Sequence, residues 1–185
     1  MGKKSLIFVG NKPIGISSNA YLSKLKRKYR QKSMGYSGTL DPFAGGVLIV
    51  ASKEHSKLFR FLKTEPKVYQ ATIFLGANSI SLDDENITSV DIVSKLNIDD
   101  INKTLKNMQG SLEFVPPKYS AKHIDGKRAY ELARSGVDFE LEKQTMQVFF
   151  AEFLHYKHPF LTIKLGISKG GYARSFAQLF VKNLV

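Results

Sequence analysis

The stretch GYSGTLDPFAGG at residues 35–46 sets a single carboxylate, Asp41, on a turn bordered by Gly35, Gly38, Gly45 and Gly46. Asp41 is the only acid between Met1 and Lys53, in a segment crowded with lysine and arginine. A carboxylate in a strongly positive field stays ionised, as a nucleophile must, and glycines let a ligand backbone approach closely. Asp before Pro is also an ordinary solvated turn, so the residue type alone fits both uses. Two further stretches carry chemistry-bearing side chains in unusual settings. Tyr69 falls on the apolar face of a strand pattern, where it is either a core tyrosine or a ring able to stack on a base. Lys169, Tyr172 and Arg174 lie in ISKGGYARS, a glycine-broken lead into a helix. There Arg174 can contact a phosphate or pair with a carboxylate inside the fold.

Other chemistries lack their markers. The chain has no cysteine, which excludes disulfides, zinc thiolates and thiol catalysis and fits a reducing cytoplasm. Its four histidines, His55, His123, His155 and His158, show no metal-ligand spacing, and no metal is expected. No P-loop, GxGxxG or GxSxG motif occurs, so nucleotide hydrolysis, dinucleotide redox chemistry and α/β-hydrolase chemistry are unsupported.

The elements that must position these residues follow from periodicity. Ser17 or Ser18 can cap a helix over 19–30, with Tyr21, Leu22, Leu25 and Tyr29 on its apolar stripe. Lys24, Lys26, Arg27, Lys28 and Arg30 occupy its other face. A second helix is expected over 53–63 with Leu58, Phe59 and Leu62 inward. Residues 67–76 alternate as a strand that puts Tyr69, Ala71, Ile73 and Leu75 on one face and ends at Gly76. Residues 77–91 read as a polar, acidic loop. Asp99 or Asp100 is expected to cap a helix carrying Ile101, Leu105 and Met108 inward and stopping at Gly110. A short helix ending at Gly136, strands over 146–153 and 160–167, and a last helix from about Tyr172 with Phe176, Leu179 and Phe180 inward complete the pattern. Strands separated by irregular helices, without βαβ spacing, indicate an α+β fold with a mixed, mainly antiparallel sheet flanked by helices. At 185 residues one domain, 1–185, is expected.

Charge narrows the partner. The formal net charge is +12 and the pI about 9.8. Residues 1–68 hold 14 Lys/Arg against 3 Asp/Glu, residues 78–115 hold 3 against 7, and residues 116–185 hold 11 against 6. Both ends of the chain, and not its middle, supply the positive field, which suits a polyanion such as RNA. No apolar run approaches the roughly 20 residues of a membrane span, and no signal-peptide pattern opens the chain. No membrane partner is expected.

Five motifs in order carry a resemblance that covers nearly the whole chain. GYSGTLDPFAGGVLIV at 35–50 resembles the catalytic-aspartate motif of the TruB family of tRNA pseudouridine synthases, GHxGTLDPxAxGVLxV. NKPIGISS at 11–18 resembles the family's KPxGxTS signature, and KVYQATIFLG its tyrosine-bearing strand. PPKYSAKHIDGKRAYELARSG at 116–136 is similar to the block PPxYSAxKxxGxxxYexAR, and ISKGGYARS to SKGTYIRS.

The resemblance implies a pseudouridine synthase catalytic domain and isomerisation of a uridine in the T-loop of tRNA, with no cofactor, in a cytoplasmic monomer. It implies that Asp41 is the catalytic aspartate, Tyr69 the ring on the flipped uridine, and Arg174 the partner that orients Asp41. Tyr172 would pack beside them, Tyr36 and Lys169 would face the RNA, and Lys24 and Arg27 would contact phosphates. Lys12, Pro13 and Gly38 would support the site. Family members continue past this point, usually into a C-terminal RNA-binding domain, so a chain lacking that part is expected. Tyr36 stands where the family has histidine, Gly171 and Ala173 replace Thr and Ile, and 77–86 lacks a DTSDADG-like run, Ser81, Asp83 and Asp84 being its remnants. A rival of another class is a basic RNA-binding or RNA-folding module that keeps the fold without turnover. It predicts salt-sensitive tRNA binding with no change in nucleoside content.

Overall fold

The computed structural model describes residues 5–124 and 126–184. The chain divides into two compact units, Met1–Lys63 and Thr64–Val185.

In the first unit, β1 (Ile7–Lys12), β3 (Gly46–Ser52) and β2 (Met34–Ser37) form an antiparallel sheet in that spatial order. Helix α1 (Ser18–Lys28) buries Leu22 and Leu25 with Met34, Leu48 and Val50, and Phe8, Tyr21 and Tyr36 pack around them. The Ser17 side chain caps the helix by accepting from the Ala20 N–H at 3.1 Å. Gly10 of β1 lies close under Tyr21: a Cβ there would meet the Tyr21 hydroxyl at 2.9 Å, and the ring would have to shift. The expected helix over 53–63 is instead a 3₁₀ helix, Lys53–Phe61. None of its residues is buried, and Leu58 is exposed. Three residues per turn eclipse side chains three apart, so the apolar positions spaced for an α-helix do not collect on one inward face.

The second unit is built on an antiparallel sheet ordered β4 (Lys67–Phe74), β11 (Phe160–Ile167), β10 (Gln144–Lys157), β7 (Gly110–Phe114). Helices α2 (Ile98–Asn107) and α4 (Ala173–Leu184) pack on it. Ile101 and Leu105 of α2, Phe176 and Phe180 of α4, and Leu161, Ile163, Leu165 and Ile167 of β11 form the core. Alternation along β4 turns Tyr69, Ala71 and Ile73 to this core, as the period of two requires. Asn97, and not Asp99 or Asp100, caps α2; its side chain accepts from the Asp99 N–H at 3.0 Å. The two aspartates fall instead in the first turn, where the helix dipole favours negative charge. Within 77–91, expected as a loop, β5 (Ala77–Ser79) and β6 (Ile87–Val90) pair as a hairpin. The Asp91 N–H closes its base on the Gly76 carbonyl at 2.8 Å. Two-residue strands β8 (His123–Ile124) and β9 (Lys127–Arg128) lead into α3 (Ala129–Arg134). Every described strand pair is antiparallel, in keeping with an α+β fold. Among the described residues no helix is long and apolar enough to cross a membrane.

Candidate active site

The sequence-derived site residues fall into two sets, one on each unit. Lys12, Pro13, Lys24, Arg27, Tyr36, Gly38 and Asp41 belong to the first; Tyr69, Lys169, Tyr172 and Arg174 belong to the second.

On the first unit, Asp41 lies partly buried in the loop between β2 and β3. That loop has no regular ladder, so its backbone groups need other partners. They find them on both sides of Asp41. The Ser18 hydroxyl donates to the Leu40 carbonyl at 2.9 Å and accepts from the Leu40 N–H at 3.0 Å. On the far side, the Pro42 carbonyl accepts from the Gly15 N–H at 2.8 Å and lies 3.4 Å from Lys12 Nζ. The Asp41 carbonyl accepts from the Ala44 N–H at 3.1 Å, which closes the turn at Pro42. Gly38 (φ 80°) and Gly46 (φ 133°) mark the two ends of the loop. A Cβ on Gly45 would come within 3.1 Å of Ile14, so this stretch hugs the chain leaving β1.

Lys12 is fully buried. Its ammonium also donates to the carbonyls of Pro13 (3.0 Å) and Ile16 (2.7 Å), and so gathers 13–16 and 42 around one charge. Desolvation holds its pKa below the ordinary lysine value, and the negative charge of Asp41 opposes that shift. Tyr36 donates its hydroxyl to Asn19 Oδ1 at 2.9 Å and packs against the α1 core. Lys24 and Arg27 are exposed on α1.

On the second unit, Arg174 is buried in the first turn of α4. Its guanidinium donates to the carbonyls of Ser81 (2.7 Å) and Tyr119 (2.9 Å) and stands 3.6 Å from the Asp83 carboxylate. One planar fork thus fastens the 79–86 turn and the 116–120 segment to α4, a task suited to the several fixed donors of arginine. Asp83 is itself held: Oδ1 accepts from the Ser81 hydroxyl and from the Glu85 N–H at 3.0 Å. Tyr69 packs partly buried against the core, and Tyr172 lies 6.1 Å from Phe114, ring centre to ring centre. Lys169 is exposed, and its backbone N–H donates to Glu65 at 2.7 Å.

Sequence reasoning did not assign Ser18 its grip on Leu40 or Asp83 its place beside Arg174. The serine was legible as a helix cap and as the last residue of the NKPIGISS motif. The aspartate carried a faint signal, as a remnant of the family's acidic run.

Known proteins resemble this chain over nearly all of its length. The family model described as TruB family pseudouridylate synthase (N terminal domain) matches residues 26–173. Relatives named tRNA pseudouridine synthase B are 53% identical over 174 residues in Campylobacter concisus, 54% over 178 in Campylobacter curvus, and 48% over 178 in Sulfurimonas denitrificans. These alignments take in 94%, 96% and 96% of this chain. The chain spans 64%, 65% and 65% of the length of those relatives. Among solved structures, a Cbf5-Nop10-Gar1 complex superposes with a TM-score of 0.71 at 23% identity, covering 96% of this chain and 44% of that one. An H/ACA RNP bound to a substrate RNA containing 2'-deoxyuridine gives 0.67 at 20% identity, covering 96% and 42%. The structural likeness shows a shared fold. With the family model matched across both units, the chain belongs to the TruB family of pseudouridylate synthases.

Proposed function

We propose that the protein isomerises uridine to pseudouridine in the T-loop of tRNA, with Asp41 as the catalytic carboxylate. The observation that carries this reading is the fixation of Asp41 from both sides, by buried Ser18 at Leu40 and buried Lys12 at Pro42. A turn aspartate with only a solvent role does not need its neighbouring peptides held by buried polar side chains. A carboxylate that must meet one atom does, because a displacement of about 1 Å can cost on the order of 100-fold in rate.

The reaction breaks the bond from the sugar C1′ to N1 of uracil, turns the base, and forms a bond from C1′ to C5. The C5 proton leaves and N1 ends protonated, so composition is unchanged and no oxidant or group donor is needed. Asp41 can attack the sugar or the base, or stabilise a developing oxocarbenium ion, as glycosidase carboxylates do. Arg174 serves as the cation that keeps Asp41 ionised and aimed. Extruding the uridine costs a few kcal/mol, offset by stacking on Tyr69 with Tyr172 beside it. Tyr36 offers the RNA a ring held by Asn19, without the near-neutral proton transfer of a histidine. Lys24, Arg27 and Lys169 meet phosphates and supply affinity without reading sequence.

The test is nucleoside analysis of tRNA, with carbodiimide-dependent primer extension to locate the product. The chain is expected to convert the T-loop uridine, and Asp41→Asn to abolish conversion while tRNA binding stays within about twofold. Salt-sensitive binding by the parent without any pseudouridine would establish the non-catalytic RNA-binding module instead.

A further inference from the structure

We propose that Ser18 is a positioning residue for catalysis, acting through the peptide that carries Asp41; this rests on the reading of Asp41 given above. The Ser18 hydroxyl bonds two consecutive peptide units at once. It accepts from the Leu40 N–H, which belongs to the Thr39–Leu40 peptide, and donates to the Leu40 carbonyl, which belongs to the Leu40–Asp41 peptide. The nitrogen of that second peptide is bonded directly to the Asp41 Cα, so its plane helps set the direction of the carboxylate.

Three observations make this more than a helix-end contact. Capping of α1 is already done by Ser17, which accepts from Ala20, so Ser18 is not needed for it. Ser18 is 2% exposed, so no water can replace the two bonds without repacking. Finally, the 38–45 loop has no strand partners of its own, and its Leu40 groups are satisfied by this one side chain. A hydroxyl suits the place because it donates and accepts through a single atom. Asn19, the next residue, holds Tyr36 at the end of β2 that leads into the same loop, so the first turn of α1 fixes the chain's approach to Asp41 at two points.

The experiment compares Ser18→Ala, Ser18→Cys, Ser18→Thr and the control Ser17→Ala in the whole chain. It reads single-turnover pseudouridine formation on a T-arm RNA, RNA affinity and thermal melting. Ser18→Ala is expected to lower the rate at least tenfold with RNA affinity within twofold, and Ser18→Thr to recover most of the loss. Ser17→Ala is expected to lower the melting temperature while keeping the parental rate. Parental turnover in Ser18→Ala, or a loss that appears as weaker binding alone, overturns the proposal. If Ser18→Ala does not fold, Ser18→Cys decides, because its slightly larger thiol leaves no cavity and weakens both bonds; a parental rate there also overturns the proposal. Asp41→Asn in the same assay separates the two claims. Conversion that survives Asp41→Asn, or a parent without conversion, defeats the reading of Asp41 and this inference with it. Conversion lost in Asp41→Asn and kept in Ser18→Ala defeats this inference alone.

Discussion

At the scale of single residues, the second unit's arginine raises the question of how a buried cation is tolerated. Desolvating a guanidinium is costly unless its donors are met by acceptors, and a carboxylate is the best of these. The partners of Arg174 include two carbonyls and Asp83, whose side chain is 9% exposed. Asp83→Asn keeps an acceptor for the Ser81 hydroxyl and the Glu85 N–H but removes the charge. It is expected to destabilise the protein by about 3 kcal/mol, the lower end for breaking a buried pair, since two carbonyls remain. Denaturant unfolding measures the loss. Lysine at 174 would not repair the site, because one compact ammonium cannot span acceptors on two separate segments in the way a fork does.

At the scale of elements, the helices differ in how much the fold depends on them. Phe180 of α4 is wholly buried, and Phe180→Ala is expected to cost about 3–5 kcal/mol in thermal or denaturant unfolding. Phe61, at the end of the 3₁₀ helix, is 69% exposed, and Phe61→Ala is expected to change stability by no more than about 0.5 kcal/mol. The contrast reflects how these elements could be read in the sequence. Helices α1, α2 and α4 and strands β4, β10 and β11 carry apolar residues at their own period, and the expected inward residues Leu22, Ile101, Leu105, Phe176 and Phe180 are all buried. The 53–63 segment also carries apolar residues, Leu58, Phe59, Phe61 and Leu62, but Lys53 in the left-handed region (φ 50°) starts it differently. Its winding is decided by the surrounding chain and not by its own pattern. Strands β1, β2, β3 and β7 were not legible, because they are short or lie among glycines. The candidate site was legible where a residue type is itself unusual, as with Asp41, a lone acid in a basic segment. A hydrogen bond between residues far apart in the chain, as between Ser18 and Leu40, leaves no such mark in the sequence.

At the scale of the whole molecule, charge is the dominant property. A net +12 concentrated in the first 68 residues and the last 70 predicts binding to RNA governed by release of counterions. The logarithm of tRNA affinity is expected to fall linearly with the logarithm of salt concentration. Replacing Lys24 and Arg27 together by alanine should make that slope shallower by about one for each phosphate no longer neutralised, and weaken all RNAs alike. Affinity measured across a salt series for parent and variant checks this; an unchanged slope would remove α1 from the RNA surface.

The turn at 79–86 has a consequence for how such chains can diverge. Acidic, polar excursions at the tip of a hairpin are ordinarily where protein lineages gain and lose residues freely. This one is different, because Ser81 and Asp83 seat a guanidinium that also holds Tyr119. Its length is therefore under constraint although its composition looks permissive, and insertions or deletions should accumulate elsewhere on the surface while this turn keeps its size.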